Sequence, residues 1–277
     1  MSSQSQKSGF TLIELLVSFS IVGVLAAVTM PAVQYARESA RQTQCKRNLR
    51  EMGTALLTFH SRHQRFPAGR DGFERRNHSW ATRVLPFLDE AVLHGRYDFQ
   101  KPWYDQSPGT NNLSVALSDV LVFQCPSSTG DWPGRSDYGG NSGSALTGLK
   151  PGFQIGQAWE SGVLVALRVG QGGNFRRRPV AAADVTDGTS HTFMVLEDAG
   201  RSPLEGGLWA NGLQCFAHDH GPINSHRSKE IYSEHAWGAH VLMTDGSVRF
   251  LSEDMEPRVI GMLSTRGVGE IESQSIE

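Results

Sequence analysis

The chain has 277 residues, with 26 Lys and Arg against 28 Asp and Glu and a formal net charge of −2. That balance gives no electrostatic footprint for nucleic acid, so none is expected as a partner, and the length allows one substantial domain or two. Three cysteines, Cys45, Cys125 and Cys215, are an odd number, which in an exported domain permits one disulfide and leaves one thiol over.

The first element is the octet Gly9-Phe10-Thr11-Leu12-Ile13-Glu14-Leu15-Leu16, at the head of an apolar run that continues through Ala27, Val28 and Met30 to Val33. The run is near the roughly 20 residues that span a bilayer and longer than the core of about 7 to 15 in an export signal. Glu14 inside it requires a partner, because a carboxylate in hydrocarbon is costly. Only Lys7 precedes the run, while Arg37, Arg41, Lys46, Arg47 and Arg50 follow it. Counted alone, those charges would leave the large domain in the cytoplasm, although long domains translocate largely regardless of charge.

Pro31 is expected to kink the helix without ending it, because an apolar stripe resumes at Val33, Ala36 and Ala40 and continues at Cys45, Leu49, Met52, Leu56 and Phe59. The opposite face, with Arg37, Glu38, Arg41, Lys46, Arg47, Arg50 and Glu51, reads as solvated. Phe66-Pro67-Ala68-Gly69 predicts a turn, and 80–88 a short helix broken at Pro86. The segment 119–124 reads as a strand ending at Cys125-Pro126, and Gly139-Gly140-Asn141-Ser142-Gly143 and Gly170-Gln171-Gly172-Gly173 read as loops. Further strands are expected at 162–169, 191–197 and 239–251. In the last of these, Asp245-Gly246 between two apolar runs predicts a type I′ hairpin. Helix first and strands later, without βαβ alternation, gives an α+β fold: a long N-terminal helix packed on an antiparallel sheet with long loops.

Several polar clusters invite chemistry. His218, His220, His226, His235 and His240 fall close together with Asp219, so a membrane-tethered, metal-dependent hydrolase is the alternative from another functional class. No HExxH pattern accompanies them. Asp187, Ser190 and His191 name a triad only by composition, without a nucleophile elbow. The Asp187-Gly188 and Asp245-Gly246 pairs have the chemistry of turns.

The octet resembles the leader of type IV prepilins and pseudopilins. On that resemblance Gly9 is the last leader residue and Phe10 the new, N-methylated terminus left by a prepilin peptidase. Glu14, the fifth mature residue, neutralises that amine and aids assembly, and Pro31 matches a proline the family often carries. The body is similar to a bacterial group of pilin-like proteins with a large domain of unknown function. The similarity rests on Cys45-Lys46-Arg47-Asn48-Leu49, His60 and Arg65-Phe66-Pro67, then Ser79-Trp80 with Leu85-Pro86-Phe87-Leu88, and Val122-Phe123-Gln124-Cys125-Pro126-Ser127. It continues with Asp187-Gly188-Thr189-Ser190 and Glu197, and ends on the pattern of His235, nine residues, then Asp245-Gly246. Where the group commonly has Pro-Gly-Gly after the motif histidine, this chain has Ala236-Trp237-Gly238.

The resemblance implies a leader at 1–9, a membrane-spanning half helix at 10–33, an exposed amphipathic half at 34–60 and a β-rich head at 61–277 that carries the motif at 235–246. It implies a non-enzymatic filament subunit, single-pass in the inner membrane with a periplasmic or extracellular head, and other pilin or pseudopilin subunits as partners. A secretion pseudopilin and a surface pilus subunit both remain open. It also implies a Cys45–Cys125 disulfide, and a hairpin-shaping structural role for His235, Asp245 and Gly246. No cofactor is expected apart from calcium, for which Asp184, Asp187, Glu197 and Asp245 are the hard oxygen candidates.

Overall fold

The computed structural model describes residues 11–71, 77–109, 111–144, 146, 161–167, 178–219, 221–227 and 229–267. Contacts divide the chain into two compact units, Met1–Arg41 and Gln42–Glu277. The first helix, α1, runs Leu12–His63 and carries Pro31 inside it, so the proline does not end the helix, as expected.

From Leu12 to Val33 α1 carries apolar side chains on every side. Leu12, Ile13, Leu16, Phe19, Val22, Leu25, Val28 and Met30 are all exposed. Among the described residues α1 is the helix long and apolar enough to cross a membrane, with a mean hydropathy of 2.3 over its most apolar stretch. The stripe expected to reach the core from Val33 through Ala36 and Ala40 is exposed instead. Burial starts at Cys45, within the second unit, and takes in Leu49, Met52 and Leu56.

The second unit is built on a five-stranded sheet. Its strands are β3 (Tyr138–Gly143), β5 (Phe193–Glu197), β6 (Cys215–Ala217), β7 (Gly238–Met243) and β8 (Val248–Ser252), in the order β6-β3-β5-β7-β8. The pairs β3–β5, β5–β7 and β7–β8 are antiparallel, and β3–β6 is parallel, so the sheet is mixed where the sequence predicts an antiparallel one. A small second sheet joins β1 (Arg70–Asp71), β2 (His78–Ser79) and β4 (Ala166–Leu167). Short helices α2 (Trp80–Val84), α3 (Ala91–Gly95) and α4 (Asn112–Ala116) sit between the sheets in the chain, and α5 (Pro257–Ser264) follows the hairpin.

Both faces of the large sheet are covered. One core joins the buried stripe of α1 to Trp80, Phe123, Tyr138, Leu164, Trp209 and Leu242. The other joins Phe193, Leu196, Phe216, Val241 and Met243 to Ile260 and Leu263 of α5. Along β7 the side chains alternate as a strand demands, Val241 and Met243 to one core and Leu242 to the other. The contact between α1 and β7 is close: a Cβ added at Gly53 would stand 2.8 Å from Leu242 Cδ1.

Three expectations fail here. Residues 121–123 form a turn of 3-10 helix rather than a strand. The 162–169 strand shrinks to Ala166–Leu167 within the described residues, and the Gly170–Gly173 loop lies outside them. The Gly139-Gly140-Asn141-Ser142-Gly143 cluster is not a loop but most of β3, buried along its whole length. Glycine is depleted in strands unless another group must approach the backbone closely, and here it must. A Cβ at Gly139 would lie 2.0 Å from Phe216 Cε1, and one at Gly140 would lie 2.8 Å from Trp80 Cδ1.

Gly139→Ala is therefore expected to destabilise the protein by about 1–3 kcal/mol, the usual cost of forcing a group into a packed core. Chemical unfolding of the detergent-solubilised chain checks it; unchanged stability would show that Phe216 yields its place freely.

Candidate functional site

The processing junction of Gly9 and Phe10 lies outside the described residues, of which Thr11 is the first. Thr11 and Glu14 form a capping box at the start of α1. Glu14 Oε2 accepts from the Thr11 N–H at 2.9 Å and from the Thr11 hydroxyl at 2.7 Å, while Thr11 Oγ1 accepts from the Glu14 N–H at 3.3 Å. The carboxylate is thus held at the first turn of an apolar helix, where the amide dipoles favour negative charge.

The C-terminal motif splits between the two ends of β7. At one end, the Gly246 N–H donates to Met243 O at 3.0 Å and the Met243 N–H to Ser247 O at 2.8 Å. Asp245 Oδ1 accepts from the Ser247 N–H at 2.8 Å. Gly246 has φ +89°, whereas Asp245 is absent from the residues with positive φ. A type I′ turn needs positive φ at both central residues, so this is a three-residue loop with a glycine bulge instead. The Asp245 N–H also donates to Thr189 O at 3.0 Å, which joins this turn to the Asp187-Gly188-Thr189-Ser190 segment.

His235 sits at the other end of β7 and takes no part in that turn. It is buried, with Nε2 3.5 Å from Cys125 Sγ and 3.7 Å from Glu197 Oε1. The bend into β7 lies just beyond it: Trp237 adopts φ +73°, and Gly238, the first residue of the strand, φ +157°. The positive-φ position where the resembling group has glycine is filled here by an exposed tryptophan.

The remaining histidines do not converge on one centre. His218 is buried beside Glu230, with its Nε2 3.0 Å from Gly221 O. His226 is exposed, and His220 lies outside the described residues. His240 points its Nδ1 toward Glu197 Oε1 at 3.6 Å. Ser190 Oγ lies 3.1 Å from His191 Nδ1.

The four oxygen candidates for calcium are also dispersed. Asp184 caps its own turn by accepting from the Ala181 N–H at 2.8 Å and pairs with Arg178 at 3.0 Å. Asp187 lies in the turn before β5, Asp245 in the hairpin, and Glu197 at the far end of β5 in the interior. Of the four, Glu197 alone belongs to a cluster of metal-type donors among the described residues, and its companions there are not the other three.

That cluster is Cys45, Cys125, Glu197 and His235, all buried. Cys45 and Cys125, the expected disulfide pair, meet here as free cysteines, with an imidazole and a carboxylate beside them. Asn48, one turn along α1 from Cys45, donates to Gln124 O at 2.9 Å and so ties the helix to the Cys125 segment. Asp137 fixes that segment from behind, accepting from the Cys125 N–H at 2.8 Å and the Ser128 hydroxyl at 2.6 Å. The Cys45 thiol beside it and its burial push the Cys125 thiol well above its ordinary range. Burial does the same to the Tyr138 phenol, which has Cys125, Cys45 and Glu197 as neighbours. Sequence spacing gave no sign of this group, because its members lie on four separate elements.

Comparison with known proteins adds a lineage. A family model described as "Protein of unknown function (DUF1559)" matches residues 34–218 and 208–258. One described as "Prokaryotic N-terminal methylation motif" matches residues 4–30. The type IV major pilin protein PilA of Myxococcus xanthus is 31% identical over 97 residues, 34% of this chain and 44% of that protein. The type II secretion system core protein G of Pseudomonas aeruginosa is 35% identical over 69 residues, 25% of this chain and 49% of that protein. The chain thus spans about half the length of the curated relatives it matches. No solved structure matches it.

The geometry of the two bends gives opposite expectations for two substitutions. Gly246→Val places a branched side chain at φ +89°, with its Cβ 2.8 Å from Leu57 Cδ1, and should cost about 1–3 kcal/mol. Trp237→Gly removes an exposed side chain from a left-handed position and should cost nothing or stabilise slightly. Thermal unfolding of the two variants side by side checks the contrast.

Proposed function

The chain belongs to the family described as protein of unknown function (DUF1559), and on that footing we propose that it is a pilin-like filament subunit. A prepilin peptidase cuts it after Gly9 and methylates Phe10, and the mature chain then assembles through its N-terminal helix with other pilin or pseudopilin subunits. The observation that carries this reading is the methylation motif over residues 4–30 together with an α1 whose apolar side chains are exposed all round. Such a surface is stable only in hydrocarbon or against other apolar helices, and a membrane anchor that becomes a filament core meets both conditions in turn.

In this reading Glu14 is the docking residue. The capping box leaves its carboxylate at the first turn, close in sequence to the amine that cleavage creates at Phe10. Pairing the two removes most of the cost of a charge in the bilayer, which insertion scales put at about 2.5–3.5 kcal/mol for an acid at the centre of a span. The helix lies in the inner membrane and the head on its outer side. A type II secretion filament and a surface pilus use the same subunit chemistry, and the reading covers both. No catalytic role is assigned: among the described residues His218 and His226 lie apart from His235 and His240, which meet at the buried Glu197. No nucleic-acid partner is assigned either.

Two outcomes test the reading. Mass spectrometry of the membrane fraction should find a methylated Phe10 as the N-terminus, and a bulky residue at Gly9 should leave the leader attached; a terminus downstream of Ala27 would overturn the proposal. Glu14→Ala should insert into the membrane at least as well as the parent chain, yet fail to enter filaments, as read by shearing and immunoblotting. Unchanged assembly of that variant would remove the docking role.

A further inference from the structure

Four side chains that assembly does not use meet in the interior of the second unit. Cys45 comes from α1, Cys125 from the segment after the 3-10 turn at Leu121–Phe123, Glu197 from the end of β5, and His235 from the bend before β7. Their candidate ligand atoms all lie within 4.8 Å of one another. Bonds of about 2.0–2.3 Å to a tetrahedral zinc ion place neighbouring donors roughly 3.3–3.8 Å apart. The separations of 3.5 Å from Cys125 Sγ to His235 Nε2 and 3.7 Å from His235 Nε2 to Glu197 Oε1 fall in that interval.

A pair of thiols in a core is ordinary, but the carboxylate beside them is not. Glu197 is 0% exposed. Its Oε2 accepts from the His240 N–H at 2.7 Å, while Oε1 has no hydrogen-bond partner. Leaving a buried carboxylate oxygen unsatisfied is costly, and a cation is the usual remedy. The nearby Tyr138 hydroxyl and His240 Nδ1 are likewise without hydrogen-bond partners, so three of the seven such buried side-chain atoms among the described residues lie around this cluster. A Cys45–Cys125 disulfide would consume the two sulfurs and leave Glu197 Oε1 stranded. A cation would satisfy all four donors together.

We propose that Cys45, Cys125, Glu197 and His235 bind one divalent cation of the zinc class in a closed, structural site. Two thiolates with an imidazole favour zinc over calcium or magnesium, which take oxygen ligands. On binding, each thiol gives its proton to solvent and forms a sulfur–metal bond. His235 Nε2 and Glu197 Oε1 complete the tetrahedron, and no electron is transferred. Four protein ligands leave no position for a reactive water, so the site is structural rather than hydrolytic. It fastens α1 to β5 and to the start of β7, and it assigns to the motif histidine the work of a ligand.

The test uses the untagged full-length chain, purified in detergent without chelator, with its metal content read by inductively coupled plasma mass spectrometry. About one zinc per chain is expected. Exchange for Co²⁺ should give the strong thiolate-to-cobalt charge-transfer band and the visible bands of tetrahedral cobalt. Cys125→Ser and His235→Ala should lose the metal, and Cys215→Ser, whose thiol bonds Leu164 O at 2.7 Å outside the cluster, should keep it. Should the ligand variants fail to fold, Glu197→Gln, which keeps the side chain's shape, should bind Co²⁺ at least tenfold more weakly than the parent. A metal-free parent chain, a Cys45–Cys125 peptide in non-reducing mapping, or zinc retained by Cys125→Ser would each overturn the proposal. Filament assembly is not read in this experiment, so the two proposals fail separately.

Discussion

The face of α1 that carries Cys45, Leu49, Met52 and Leu56 is fully buried, and burial on that scale requires a surface shaped to receive it. Each such side chain contributes about 1.5–3 kcal/mol when withdrawn from water, as an upper estimate. The gain depends on close approach, which the glycines permit. Gly53 lets α1 come down on Leu242, and Gly246 places its turn against Leu57. On the far face of the sheet, Phe216 over Gly139 meets the same requirement. The core is therefore set by backbones that come unusually near to side chains, and the glycines that look like loop residues are the condition for it.

The interior next to this contact is unusually polar. Arg201 and Asp198 form a buried pair at 2.6 Å, and Arg201 also donates to Glu205 O at 2.9 Å and Leu213 O at 2.8 Å. Burial nevertheless pushes the Asp198 carboxyl up to about 6, against the pull of Arg201. Asp137 is raised in the same way by burial, although Ser128, Gly200, Arg135 and Cys125 all hold its charged form. Buried ion pairs of this kind add little net stability beyond what their desolvation removes. Their effect is geometric: they fix the loops at 125–137 and 198–213, and the first of those loops presents Cys125.

The parts of the chain legible in sequence are those in which physics acts over neighbouring residues. The spacing of Cys45, Leu49, Met52 and Leu56 gives the buried face of α1, and the apolar runs around Asp245-Gly246 give the hairpin, though not its turn type. The strand at Phe193–Glu197 is readable because its residues are apolar and β-prone. What failed depends on distant partners. The glycines of β3 look like a loop until Phe216 and Trp80 are placed over them. Val33, Ala36 and Ala40 continue the helical period but have nothing to pack on. The surroundings of His235 are hidden for the same reason, since its neighbours Cys45, Cys125 and Glu197 come from segments far apart in the chain.

One helix thus answers to two media. From Leu12 to Val33 its apolar residues are exposed on every side. From Cys45 onward the same helix is amphipathic, with one face buried in the head and the other polar. The change of pattern falls close to the division between Arg41 and Gln42, where Arg37, Glu38 and Arg41 bring charge onto the helix and Glu38 pairs with Arg41 at 2.7 Å. Apolar packing is non-directional, so on its own it fixes the position of the buried half of the helix only weakly. Beside Cys45, at the first buried turn, the Asn48 amide donates to Gln124 O at 2.9 Å and adds a directional bond to that packing.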